Sequence, residues 1–109
     1  MPNTPKRLYI GQPGTAASTL YTVPANTKSI VKNVVLTNTT GADATITLHF
    51  VPSGGTAGAA NKVISSYTVS ANDTVVIDLS AVLEAGDTIQ GLQGTASAVT
   101  VYLSGVEVA

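Results

Sequence analysis

Residues 43–51 read DATITLHFV, and from Thr45 onward the side chains alternate in character at every step. Ile46, Leu48 and Phe50 share one side of an extended backbone, and Thr45, Thr47 and His49 share the other. Period two sustained over that length predicts a half-buried strand. Runs of similar character cover residues 6–10, 18–23, 27–38, 62–69, 73–79, 88–92 and 98–108, all rich in Val, Ile, Leu, Thr or Tyr. Turn signals separate them: Gly11-Gln12-Pro13-Gly14, Pro24-Ala25-Asn26, Thr39-Thr40-Gly41-Ala42 and Glu84-Ala85-Gly86-Asp87. About eight short strands at near-regular spacing predict an all-β fold, an antiparallel β-sandwich of jelly-roll type. Residues 1–17, with prolines at 2, 5 and 13, read as an extended arm carrying a short first strand, and residues 18–109 as the sandwich domain. The stretch PSGGTAGAA at residues 52–60 reads as a surface loop, and residues 80–83 as a single helical turn.

One hexapeptide occurs nearly twice, as YTVPAN at residues 21–26 and YTVSAN at residues 67–72. In each copy Tyr and Val fall on one face around a Thr, and Ala-Asn follows as a turn, because Asn tolerates left-handed backbone. The repeat therefore reads as one strand-end device used at two corners, with duplication of a half-sandwich as the lesser alternative. Two strands carry a phase conflict. In residues 98–108, Val99, Val101 and Leu103 share a face, but strict alternation places Glu107 with them and sends Val106 and Val108 outward. A bulge at Gly105 is expected, to return both valines to the core. In residues 27–38, Ile30, Val34 and Leu36 share their face with Lys32, so either Lys32 sits at an edge or the strand is buried on both faces.

Composition narrows the chemistry. The chain of 109 residues has room for one domain. It contains no cysteine, which removes disulfides, thiolate metal sites and a Cys nucleophile. Only 10% of residues are charged, against roughly a quarter in an average protein, so a Thr- and Ala-rich surface is left for packing against neighbours. No basic-then-apolar leader and no apolar run of about 18 residues is present, which predicts a soluble product made inside the cell, without a membrane partner. A net charge of −1 with scattered tyrosines argues against nucleic acid.

His49 is the single histidine and has no acid two positions away, so it reads as structural or interfacial, not catalytic. Asp78, Glu84 and Asp87 surround a turn but form no calcium-loop pattern and read as solvated carboxylates. No cofactor, metal or catalytic residue is expected, and no enzyme. Lys6, Arg7, Lys28 and Lys32 precede every acid, whereas Asp43, Asp73, Asp78, Glu84, Asp87 and Glu107 follow. That asymmetry suits a head-to-tail contact between copies, or solvated charges that fell this way; the second is the default, since exposed pairs contribute only about 0–1 kcal/mol.

YTVPANTKSIVKNVVLTNTT, then HFVPSGGTAGAAN, then VSANDTVVIDLSAVLEAGDTIQGLQGTASAVTVYLSGVEV resemble a group of small virion structural proteins of tailed bacteriophages. AGDTI at residues 85–89 together with SGVEV at residues 104–108 carries most of the similarity. The resemblance implies a small β-rich domain without enzymatic activity, made in the bacterial cytoplasm and built into the virion. It would decorate the head or join head, neck or tail parts, bind other phage virion proteins, and form a homo-oligomer. The expected contact residues are Lys6, Arg7 and Leu8 of the arm and Ser53, Gly54, Gly55 and Thr56 of the loop. The rival expectation is a tail or baseplate module that recognises a host glycan through its loops and Tyr9, Tyr21, Tyr67 and Tyr102.

Overall fold

The computed structural model describes residues 3–109. Eight strands follow one another: β1 (Asn3–Gly11), β2 (Ser18–Thr22), β3 (Lys28–Asn38), β4 (Ala44–Val51), β5 (Lys62–Val69), β6 (Thr74–Leu83), β7 (Thr88–Gln93) and β8 (Val99–Val108). One 3-10 turn, Ala59–Asn61, precedes β5. The strands form two four-stranded sheets, in the orders β1-β8-β3-β6 and β2-β7-β4-β5. All pairings are antiparallel. This interleaved order is the double Greek key of a jelly roll, the architecture expected from the strand spacing. Among the described residues no helix is long and apolar enough to cross a membrane.

The core is aliphatic. Val34, Leu36, Ile46, Leu48, Ile89 and Leu103 are fully buried between the sheets. β-Branched and leucine side chains fill this gap because the chain has one Phe and no Trp to do so. Gly91 of β7 lies under the tips of Leu20 and Leu48, so a methyl group there would meet both at 2.9 Å.

The repeated hexapeptide forms two corners of the same kind. Asn26 and Asn72 both adopt left-handed backbone, with φ of 57° and 56°. Each corner carries the chain from the β2-β7-β4-β5 sheet to the other sheet, β2 into β3 and β5 into β6. Val23 and Val69 are buried at the two corners, but Tyr21 is buried while Tyr67 is exposed.

Several local expectations are corrected. Residues 80–83 are not a helical turn; β6 runs to Leu83, and the alternation continues with Ala81 and Leu83 inward and Ser80 and Val82 outward. β4 is buried on both faces, not one, because residues 52–61 fold back over His49 and Val51 and the Ser66 N–H of β5 donates to the Thr47 hydroxyl. The short first strand expected at residues 6–10 runs longer, from Asn3 to Gly11, as an edge strand paired with β8; Met1 and Pro2 lie outside the described residues.

The largest correction concerns β8. It contains no bulge at Gly105: its register continues from Val99 to Val108 while the strands on either side absorb extra residues. In β1 the shift falls between Arg7 and Tyr9, with Leu8 the added residue, opposite Ser104 and Leu103. In β3 it falls between Val31 and Asn33, with Lys32 added, opposite Gly105 and Ser104. β6 shifts at the same level, where Asp78 and Ala81 pair with Asn33 and Val31. The row of irregularities crosses the whole sheet. It also settles the phase of β3: Ser29 and Val31 face inward before the bulge, Val34, Leu36 and Asn38 after it, and Lys32 turns out. Alternation in β8 thus holds to the end, with Glu107 on the inner side and Val106 and Val108 on the outer.

Gly105 has a steric reason to be glycine. An added Cβ would run into the carbonyl oxygen of Ile30 and stand 3.2 Å from the Val31 Cα, both of them backbone atoms that cannot rotate away. Gly105→Ala is expected to destabilise the domain by more than about 2 kcal/mol, whereas Gly41→Ala, with nothing within 4 Å of its Cβ, should change it little. Urea unfolding of the two variants measures the difference; equal midpoints would contradict the bulge geometry.

Candidate interaction surface

Side chains with reactive or ionisable groups are largely engaged in holding strands and loops. At one end of the sandwich, Asn38 of β3 donates to the carbonyls of Ala42 and Val69 and accepts from the Thr40 N–H and hydroxyl, tying the β3–β4 turn to the end of β5. Gln93 of β7 donates to Pro13 and accepts from the N–H groups of Ala98 and Val99, closing the β7–β8 turn onto the β1–β2 loop. Both amides are buried, and among the described residues no buried side-chain polar atom lacks a partner. His49 Nδ1 faces two acceptors, Gly58 O at 3.1 Å and Asn61 Oδ1 at 3.0 Å, so its proton resides on Nδ1 and the ring pins the 52–61 excursion to β4.

The other end is polar within the core. Glu107, inward on β8, accepts a hydrogen bond from the Tyr21 hydroxyl. Ser29, fully buried on β3, lies 2.7 Å from the same hydroxyl and, with the tyrosine proton committed to Glu107, acts as donor. Lys6 of β1 approaches the carboxylate at 3.7 Å. Burial, and then the hydrogen bond to Glu107, push the Tyr21 hydroxyl up to about 12. Here the sequence carried a legible signal: an acid at a core-facing strand position needs a donor.

The three acids around the β6–β7 region are dispersed. Asp78 accepts from Asn33 Nδ2, Glu84 pairs with Lys28 at 3.3 Å, and Asp87 caps the N–H groups of Ser53 and Glu84. No cluster of three His, Cys, Asp or Glu able to hold a metal occurs among the described residues. The Lys6–Glu107 and Lys28–Glu84 pairs also show that part of the charge asymmetry closes within one chain.

The residues singled out as contacts occupy two separate places. Lys6, Arg7 and Leu8 lie in β1, at the edge of the first sheet. Leu8, the bulged residue, is buried in the core, while Lys6 and Arg7 are exposed. Ser53, Gly54, Gly55 and Thr56 form an exposed turn in the β4–β5 excursion on the second sheet, closed by a Gly55 N–H to Pro52 carbonyl bond. Of the tyrosines, Tyr21 is buried, Tyr9 and Tyr102 are half-buried, and Tyr67 on β5 is exposed.

Sequence reasoning missed a third feature, the outer face of the β1-β8-β3-β6 sheet. Register puts Ile10, Tyr102, Val35 and Val76 in one row across its four strands. A second apolar row consists of Pro5, Val106, Ile30 and Val82. Between them, at the level of the bulges, lies a polar row of Arg7, Ser104, Asn33 and Asp78. Ile10, Val76 and Val82 are 53%, 58% and 59% exposed, more than other large apolar side chains described. The outward valines of β6 were the available signal; Val82 was lost to it because the expected helical turn ended that strand too early.

No family profile and no curated protein matches the chain. Solved structures that share its fold include one bacterial and one viral chain. One is a chain of the Bacillus endospore appendages, described as a novel family of disulfide-linked pili. It is 19% identical, with a TM-score of 0.56 over 96% of this chain and 86% of that one. The other belongs to infectious bursal disease virus Gx strain, at 12% identity and a TM-score of 0.51 over 97% of this chain. This chain spans 30% of the viral one, less than a third of its length.

Between pH 10, where a tyrosine in the unfolded chain releases its proton, and about 12, where folded Tyr21 does, unfolding sheds a proton. Stability is therefore fully present below pH 10 and falls as pH rises through that window. Tyr21→Phe should flatten this part of the profile relative to the parent, as read by chemical unfolding at a series of pH values. An identical decline in both proteins would contradict the Tyr21–Glu107 contact.

Proposed function

We propose that this chain is a non-enzymatic structural component of a tailed-phage virion, acting by binding copies of itself and other virion proteins at the head, neck or tail. The observation that carries this is the uncovered outer face of the β1-β8-β3-β6 sheet, two apolar rows with a polar row between them, on a jelly roll whose polar side chains are largely engaged in its own scaffolding. Exposed apolar side chains gathered on one face mark a contact site once the patch exceeds a few hundred Å². The sequence resemblance to small phage virion proteins supports the placement. The fold shared with a pilus chain and a viral chain supports a building-block role more generally. The disulfide linkage named for those pili has no counterpart here, because this chain has no cysteine.

Within that role, Lys6 and Arg7 on the β1 edge and the Ser53, Gly54, Gly55 and Thr56 turn are the proposed contact points, with Leu8 anchoring β1 beneath them. A glycan-binding role has less support, since the four tyrosines form no common platform: one is buried and two are half-buried.

Density-gradient fractionation of lysate from source cells, with peptide mass spectrometry of each band, tests the proposal. The chain should sediment with virions in a fixed ratio to the major capsid protein. Recovery only in free fractions would overturn the structural role, and recovery in surface fibres without virions would overturn the phage placement.

A further inference from the structure

The outer face of the β1-β8-β3-β6 sheet is self-complementary, and we infer that a second copy of this chain packs on it face to face, about a two-fold axis parallel to the strands. The inference deepens the proposed building-block role and rests on it. Such an axis reverses the order of strands but keeps the level along them. Each row then meets its own copy with left and right exchanged. Ile10 on β1 comes opposite Val76 on the partner's β6, Tyr102 opposite Val35, Pro5 opposite Val82, and Val106 opposite Ile30. In the polar row Arg7, at the β1 end, comes opposite Asp78, at the β6 end, and the contact occurs twice by symmetry. An axis running across the strands would instead set Arg7 against Arg7 and Asp78 against Asp78. The charges therefore select one geometry out of two, and like-charge repulsion disfavours the other.

Two further observations fit. Arg7 has no ion pair among the described residues, in contrast to Lys6 and Lys28. The second sheet lacks an equivalent face, since the 52–61 excursion already lies over β4. Four strands at ~4.8 Å spacing and about eight residues of ~3.3 Å each give on the order of 500 Å² per copy, or about 1,000 Å² in all. That reaches the lower bound for a specific interface, so a Kd in the micromolar range is expected.

Sedimentation velocity of the whole chain over a concentration series tests this, with circular dichroism to show that each variant folds. The parent should reach a dimer. Arg7→Glu and Asp78→Arg should each weaken the dimer about tenfold or more, and the double variant should recover most of the loss. Val35→Lys, on a central strand and remote from either edge, should abolish dimerisation while leaving the fold intact. A parent that stays monomeric overturns the inference, as does a dimer indifferent to Val35→Lys, which would mean pairing through the open edges of β1 or β6. Particle fractionation separates the two levels. A monomer still found in virions removes the two-fold face and leaves the structural role, whereas an intact dimer absent from every assembly removes the role.

Discussion

Glu107 sits on the core side of β8, and much of the first sheet is arranged around keeping it there. A carboxylate turned between two sheets costs several kcal/mol unless donors meet it. Tyr21 supplies a hydrogen bond from the facing sheet, Ser29 steadies that tyrosine, and Lys6 stands at the rim. With the acid satisfied, β8 has no need to change phase. The strain of fitting its neighbours is taken up in β1, β3 and β6, at one level beside Gly105. The polar cluster and the row of bulges are thus two sides of one solution: a straight central strand flanked by strands that each absorb a residue.

The phase of β8 determines what the outer surface looks like. Val106 and Val108 face outward because Glu107 faces inward, and Val106 joins Pro5, Ile30 and Val82 in an apolar row. The bulges bring Arg7 and Asp78 to the same level at opposite edges, separated by Ser104 and Asn33. The pattern of the face, apolar rows with an oriented polar row between them, therefore follows from the interior. The second sheet is closed off differently, by a loop pinned through His49 and Asn61. One outer face is covered by the chain itself and the other is left bare.

Much of the fold was legible because period two is a local signal. Residues 62–69 were read with the boundaries that β5 has, and the Asn turns at 26 and 72 adopt the left-handed backbone their sequence predicts. What could not be read was relational. Glu107 next to Val106 and Val108 looks like a phase error until Tyr21, 86 positions away, is known to lie opposite. The bulge at Lys32 is likewise invisible locally, since Val31 and Val34 are both good core residues and only the partner strands show that a residue has been inserted. His49 was read as structural or interfacial from its lack of partners in sequence, and its partners lie in a glycine-rich loop with no pattern of its own. Leu8 shows the converse: placed in an arm by its proline-rich surroundings, it is a core residue. The outer face escaped notice because it is assembled from four strands, each contributing one or two apolar residues to it.

The central claim, that β8 keeps a single phase with its acid inward, is most directly tested by nuclear Overhauser contacts to the Tyr21 ring in solution. The account predicts contacts from the ring protons to the side chains of Glu107 and Ser29, and none to the methyl groups of Val106 or Val108. Ring contacts to those valine methyls, with Glu107 free in solvent, would show that the strand turns over at Gly105 and would contradict it.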